Sequence, residues 1–315
     1  MYSAGIDFGG TSTKLALVGA DGRLLARRDV PARPDGDADR LFGELAAILA
    51  GMAGQAGLPF PPPGGAGIGV AGIVDVSAGR VVLTGALGME GCDVQVLAGR
   101  AIGCPVAIES DSNAGALADL YVGRARGASD VLYLSWGSGI GAGLVMGGRL
   151  LRSQGGAAGE IGHAPVERDS PRRCYCGCRG CLEIEAGGRA IAARGSERLG
   201  RAVNVQELVA AAGSDAGCLE ILERAAALVA RALSSAVVLL DPQRVVLGGG
   251  VSLVLETPAV RAALDRELDR CLPRFGRQPL TVTLSAFGSS AGVVGAALLP
   301  RHRLEEGSRH GAAGL

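Results

Sequence analysis

The sequence predicts an α/β protein built from two similar halves. Three observations carry that expectation. Short apolar strands alternate with segments of helical period. Glycine-rich loops stand at the ends of three of the strands. A hairpin pattern also recurs: GTSTKLALVGADGRLL near the start is matched by GSGIGAGLVMGGRLL later, with GRLL at 22–25 and again at 148–151. Both copies run from glycine loop to apolar strand to tight turn, and an internal repeat of this kind decides the fold class early.

The elements follow in order. GIDFG (5–9) and KLALVG (14–19) are strands around a Gly/Thr loop, and Asp21-Gly22 turns the chain into a third strand. Leu41, Phe42, Leu45, Ile48, Leu49 and Met52 recur at helical spacing. LPFPPPGGAG (58–67) is a loop, and AGIGVAGIVD (66–75) is a buried strand ending in a glycine turn. VQVLAGRAIG (94–103) is helical, PVAIES (105–110) a strand, and SNAGALADLYVG (112–123) a helix. The second pass opens with the strand DVLYLSW (130–136), the loop GSGIGAG (137–143) and the hairpin LVMGGRLL (144–151). Helices are expected at 186–200, 204–213, 215–240 and near 255–270, and strands at 244–250 and 280–286. AGVVGAALL closes the fold as a helix, and RHRLEEGSRHGAAGL (301–315) reads as a disordered tail, which leaves His302 and His310 little functional weight. The expected domains are therefore 1–112 and 113–289, the latter with an insertion near 155–185, and the helix at 290–300 is expected to pack back on the first.

Composition narrows the function. The 315 residues are 48% hydrophobic but only 3% aromatic, so the core is aliphatic. Net charge is zero, which argues against a nucleic-acid partner recruited by bulk charge. The apolar run ALVARALSSAVVLL (227–240) is broken by Arg231 and two serines, so no membrane span is expected. MYSAGIDFGGT lacks the pattern of a secretory signal, and a cytoplasmic enzyme is the expectation. Of the 31 basic residues only Lys14 is a lysine, and it stands three residues after the first Gly-Gly-Thr.

Three loops carry closely spaced small residues: DFGGTSTK (7–14), WGSGIGAG (136–143) and LGGGVS (247–252). Such loops let phosphate oxygens approach backbone N–H donors. Together they point to one clamped nucleotide. GSGIGA (137–142) also fits the dinucleotide fingerprint, but that motif demands a following helix and LVMGGRLL reads as strand and turn. No Walker-type G-x-x-x-x-G-K-[ST] and no protein-kinase motif set occur. Asp111, in ESDSNAG (109–115), stands where a strand hands over to a helix. It reads equally as a helix N-cap or as a general base, because phosphoryl transfer needs only a carboxylate that orients the attacking hydroxyl.

CYCGCRGC (174–181) packs four of the eight cysteines, with His163 upstream. In a reducing compartment this cluster reads as a structural zinc site with five candidate ligands. A redox dithiol at Cys178 and Cys181 lacks the setting of a thioredoxin-like motif. Cys92, Cys104, Cys218 and Cys271 are scattered and read as small core residues. Glu160, His163, Glu183 and Glu185 flank the cluster and suit the hydroxyls of a polyol.

Taken together, DFGGTSTK (7–14), GVAGIVD (69–75), ESDSNAGAL (109–117), SWGSGIGAGLV (135–145), GGAAGEIGH (155–163), CYCGCRGCLE (174–183) and VVLGGGVS (245–252) resemble the ROK family of bacterial sugar kinases and repressors, in the actin/hexokinase-like superfamily. The resemblance covers about residues 1 to 300. It implies two ribonuclease-H-like domains with a cleft between them, taking MgATP and a hexose, and a homo-oligomer, dimer or tetramer. It places the catalytic base at Asp111. It places phosphate and nucleotide contacts at Asp7, Gly9, Gly10, Thr11 and Lys14, at Gly137, Ser138 and Gly139, and at Gly248 and Gly249. Sugar contacts fall on Gly72, Ser110, Asp111, Glu160, His163 and Glu183, and zinc ligands on His163, Cys174, Cys176 and Cys181, leaving Cys178 over. Two departures lie on the sugar side. Ser110 stands where the family usually has Asn, and LTGALGMEG (83–91) replaces its usual P-N-L segment. The expected activity is phosphorylation of a hexose 6-hydroxyl, with glucose ahead of N-acetylglucosamine, N-acetylmannosamine, fructose and allose. A sugar-sensing regulator is the alternative from another class, and the absence of a helix-turn-helix ahead of DFGGT at residue 7 weighs against it.

Overall fold

The computed structural model describes residues 1–32, 37–84, 88–153, 155–273 and 280–312, with side chains to Ser308. The chain divides into two compact units. The first comprises Met1–Gly127, Leu150–Ala158 and Ser290–Leu315, and the second Ala128–Arg149 and Gly159–Ser289.

In the first unit β1 (Tyr2–Phe8), β2 (Ser12–Gly19) and β3 (Leu24–Pro31) form an antiparallel meander, followed by α1 (Ala38–Gln55). β4 (Ala66–Val70) comes next, then the small ribbon β5 (Ile73–Asp75) and β6 (Arg80–Leu83), and α2 (Val94–Ile102). β7 (Val106–Ser110) runs directly into α3 (Asp111–Val122). The sheet order is β3-β2-β1-β4-β7, with β4 and β7 parallel to β1. The second unit repeats this plan. β8 (Val131–Trp136), β9 (Ile140–Met146) and β10 (Arg149–Leu150) are followed by α4 (Leu182–Ala186), α5 (Gly188–Leu199), α6 (Val205–Ala212) and α7 (Ala216–Leu240). Then come β11 (Arg244–Gly248), α8 (Pro258–Cys271), β12 (Val282–Leu284) and finally α9 (Ala291–Ala312), which belongs to the first unit. Its sheet order, β10-β9-β8-β11-β12, is the same topology, and the two GRLL elements begin the third strand of each meander.

Alternation along the first sheet explains its two layers. Ala4, Ile6, Phe8, Ala66, Ile68, Val70, Val106 and Ile108 point one way and bury against Phe42, Leu45, Leu49, Ala98 and Ile102 of α1 and α2. The other face carries Gly5, Gly67 and Ala107 and receives α9 and α3. At the glycines of that face there is no room for a side chain: a Cβ at Gly67 would run into the Ala296 carbonyl oxygen. The same holds at Gly295, where a Cβ would meet the Ala114 carbonyl of α3. Backbone-to-backbone packing of this kind needs Gly at the contact. In the second unit, α4 to α8 bury their apolar stripes against Leu132, Leu134, Trp136, Val245 and Leu247.

The structure departs from the sequence reading in four places. The strand expected over 66–75 breaks at Ala71-Gly72, where Gly72 has φ 149° and Leu83 leaves no space for a Cβ. The helix α3, expected in the second domain, packs on α9 within the first unit, whose leading segment runs to Gly127. The tail expected to be disordered from 301 is helical to Ala312, and His302 is 3% exposed. An interior Pro removes one helix hydrogen bond, yet the helix continues past Pro300, and polar partners described below hold it. Of the four scattered cysteines only Cys218 is buried, and Cys271 is exposed. Residues 85–87 of the LTGALGMEG segment and the His310 side chain lie outside the described residues.

Candidate active site

The carboxyl ends of parallel strands are where α/β folds bind ligands, and the first unit concentrates charge there. Register places Asp29, Lys14, Asp7, Gly69 and Glu109 in one row across β3, β2, β1, β4 and β7. Lys14 Nζ donates to Asp7 Oδ2 at 3.0 Å, and the Asp7 carboxylate is 4% exposed. Gly69 keeps the centre of the row open: a Cβ there would stand 3.4 Å from Asp111 Cα and 3.7 Å from Asp7 Oδ1. The loop Gly9, Gly10 and Thr11 closes the β1–β2 hairpin, with Gly9 N–H donating to Ser12 O at 3.1 Å. Gly72 lies at the end of the neighbouring strand β4.

Asp111 is the first residue of α3 and does not cap it. Ser110 is the N-cap and accepts from Asn113 N–H at 3.3 Å. The residue that departs from the family pattern thus takes over the helix terminus and leaves the Asp111 carboxylate for other work. Ser112 Oγ donates to Asp111 Oδ1 at 3.2 Å. Burial, with the like charge of Asp7 beside it, pushes the Asp111 carboxyl up to about 7. Sequence reasoning missed this shift, because burial of the carboxyl and its approach to Asp7, about a hundred residues away in the chain, both arise only on folding.

In the second unit the loop Gly137, Ser138 and Gly139 follows β8, and Gly248 ends and Gly249 follows β11, the strand paired beside it. The two loops touch: Val251 N–H donates to Trp136 O at 3.0 Å, and a Cβ at Gly249 would run into the Trp136 backbone. The strand β9 starts at Ile140, so the dinucleotide fingerprint has no helix behind it. Glu183 Oε2 accepts from Ile140 N–H at 2.9 Å and fills the place where Gly139 would carry a Cβ. Glu183 therefore braces the second glycine loop. Gly162 packs against the Ile140 carbonyl and lies next to Glu183, which brings the turn bearing Glu160 and His163 to the same corner.

His163, Cys174, Cys176 and Cys181 present ligand atoms that all lie within 4.8 Å of one another. Cys174 Sγ is 3.4 Å from His163 Nδ1, and Cys176 Sγ is 3.6 Å from Cys181 Sγ. A zinc tetrahedron with bonds of about 2.3 Å has edges of about 3.7 Å, so this donor set fits the ion. Cys178 is exposed and outside the group; its carbonyl accepts from Cys174 N–H at 2.8 Å and closes the loop. His163 Nε2 lies 2.9 Å from Tyr175 Oη and 3.6 Å from Glu160 Oε2, a partner for the nitrogen that faces away from the thiols. Glu185, 2% exposed, anchors the loop through Ser170, Arg194 and Arg224.

Among the described residues no helix is long and apolar enough to cross a membrane. A family model described as "ROK family" matches residues 3–303. The N-acetyl-D-glucosamine kinase of Yersinia pseudotuberculosis is 30% identical over 306 residues, 94% of this chain and 97% of that one. The solved structure of a ROK hexokinase from Thermus thermophilus is 32% identical, with a TM-score of 0.77 over 97% of this chain and 100% of that one. A ROK family glucokinase from Streptomyces griseus, solved with glucose and AMPPNP, is 28% identical, with a TM-score of 0.83 over 96% and 100%.

Proposed function

The chain belongs to the ROK family, and from that premise we propose that it is an ATP-dependent sugar kinase that transfers the γ-phosphoryl group to the 6-hydroxyl of a hexose, glucose first. The observation that carries the proposal is Asp111: uncommitted to capping, with its proton affinity raised, beside Asp7 and Lys14. The Asp111 carboxylate would orient the sugar hydroxyl and accept its proton as that oxygen attacks phosphorus. Lys14 and the N–H groups of Gly9, Gly10 and Thr11 would hold the phosphoryl oxygens, and Asp7 would hold Mg²⁺, which neutralises phosphate charge when bound. Gly137, Ser138, Gly139, Gly248 and Gly249 would take the nucleotide. Glu160 and His163 would contact the sugar, with Gly72 and Ser110 on the same side. Zinc on His163, Cys174, Cys176 and Cys181 would supply rigidity to that wall and take no part in the transfer.

A coupled ADP-release assay across hexoses and acylamino-hexoses tests the reading. Sugar-dependent ADP formation is expected, and no turnover with any sugar would sink it. The similarity to the Yersinia kinase favours an N-acetylhexosamine acceptor as the second reading. Ser110→Asn tests the sugar side separately. Asn caps a helix as well as Ser, so stability should hold while KM for sugar or sugar preference moves and KM for ATP does not. Equal changes in both constants would remove Ser110 from the sugar.

A further inference from the structure

The catalytic helix α3 is tied at both ends to the last turns of α9. At its start, Glu109 Oε1 accepts from Ser110 N–H at 3.1 Å and from Asn113 Nδ2 at 3.0 Å. Glu109 is 2% exposed, and a buried carboxylate without a cation is costly. Arg152 supplies the cation, its Nε donating to Glu109 Oε2 at 2.7 Å. Arg152 is held in turn by Glu306, with Nη1 donating to Oε1 at 2.9 Å. Burial would raise the Glu306 carboxyl, but His302 and Arg152 hold it down at about 2. At the other end of α3, Tyr121 Oη lies 2.9 Å from His302 Nδ1 and donates to Glu305 Oε2 at 2.8 Å. The Arg301 guanidinium sits 4.8 Å over the Tyr121 ring. Arg152 and the helix beyond Pro300 carry no role in the site described above, and Glu109 enters it only by its place in the strand row.

We propose that residues 301–306 of α9 act, through Arg152 and Glu109, as a clamp that positions the first turn of α3 and with it Asp111. These are positioning residues: none touches substrate, and each acts by fixing the strand-to-helix corner between Glu109 and Asn113. The proposal rests on the kinase reading with Asp111 as base. Two chemically distinct arms reach the same helix, an ion-pair relay at its start and a tyrosine near its end. The clamp therefore fixes both the place and the axial rotation of α3. A misplacement of about 1 Å in a reacting group can cost 10²-fold in rate, so a loosened corner has a kinetic signature.

The test is Glu306→Gln in the full chain, which keeps shape and removes the charge that holds Arg152. Tyr121→Phe cuts the second arm independently, and Leu304→Ala, at a position 75% exposed on the same helix, is the control. Glu306→Gln is expected to lower kcat about tenfold with KM for ATP unchanged. It should also move the pH inflection of kcat/KM downward, because a looser corner admits water to Asp111. Tyr121→Phe should act in the same direction, and Leu304→Ala should do nothing. A fall in melting temperature with kcat and pH profile intact would reduce the network to a structural tie and overturn the proposal. Hydrogen exchange over residues 110–116 is read in parallel, and protection should fall in Glu306→Gln. That arm does not depend on turnover. If the wild-type protein phosphorylates no sugar, the kinase reading fails, while retained protection in Glu306→Gln overturns the clamp itself.

Discussion

Asp111→Asn lowers kcat for sugar phosphorylation by about 10²–10⁴-fold, the range that a positioned general base supplies. Asn keeps the shape and can still accept a hydrogen bond, but it cannot take the proton. The pH profile is the sharper part of the result. In the wild type the carboxyl is raised to about 7, so below that pH it is protonated and inactive. At saturating MgATP, kcat/KM for sugar should rise with pH through about 7 and then level. In Asp111→Asn that inflection should vanish along with the rate. Stability moves the other way. An ordinary aspartate in the unfolded chain ionises near 4, whereas Asp111 in the fold holds its proton until about 7. The Asp111 contribution to stability therefore falls as pH rises between these values, since at this group the folded state binds more protons. Asp111→Asn removes that penalty and should melt no lower than wild type at pH 8. A variant inactive because it is unfolded would show the opposite. An unchanged pH inflection in the variant would show that another group is being titrated.

Cys176→Ala abolishes metal binding and sugar turnover together, while nucleotide binding changes far less. Cys176 is exposed at the tip of its loop, so the lost side chain leaves little cavity. What disappears is one of the four potential ligands in the set that Cys176 forms with His163, Cys174 and Cys181. Zinc content is expected near one per chain in the wild type and near none in the variant, because three ligands leave a structural site open. His163 then loses the partner that fixes its Nδ1 and the rotation of its ring. Glu183 and the loops at Gly137 and Gly249 are anchored to β8, β9 and β11 by backbone contacts, which is why the nucleotide side should survive. Isothermal titration with an ATP analogue, metal analysis and sugar kinetics separate these effects. Loss of zinc with sugar kcat/KM retained would detach the metal from the sugar wall.

Features set by local chemistry were legible in the sequence. Strand-end glycine loops, tight turns and the repeated hairpin depend on neighbours a few residues apart, and the structure has the same meander twice. The cysteine cluster was legible for the same reason, since Cys174, Cys176, Cys178 and Cys181 lie within eight residues, while the choice among five candidate ligands came from the family resemblance. What was not legible depends on pairing across long separations. Nothing near Glu109 announces Arg152, and nothing near Arg152 announces Glu306. The helix beyond Pro300 was hidden because its segment read as a disordered tail, and only partners distant in sequence such as Tyr121 reverse that. Asp111 was legible as a candidate base and not as a perturbed one, because its environment is assembled by folding.

The placement of α9 bears on how the chain is born. Residues 1–127 are translated before the second unit, yet α9, which packs with α3 on one face of their sheet, is translated after it. Domains generally fold as units, in the order in which they leave the ribosome. Here that order is inverted. The second unit has all of its strands and helices once residue 289 has emerged, while the first still exposes the glycine-lined face of β1 and β4. A nascent chain must hold that face open until α9 has emerged, so the half carrying Asp111 is completed after the other.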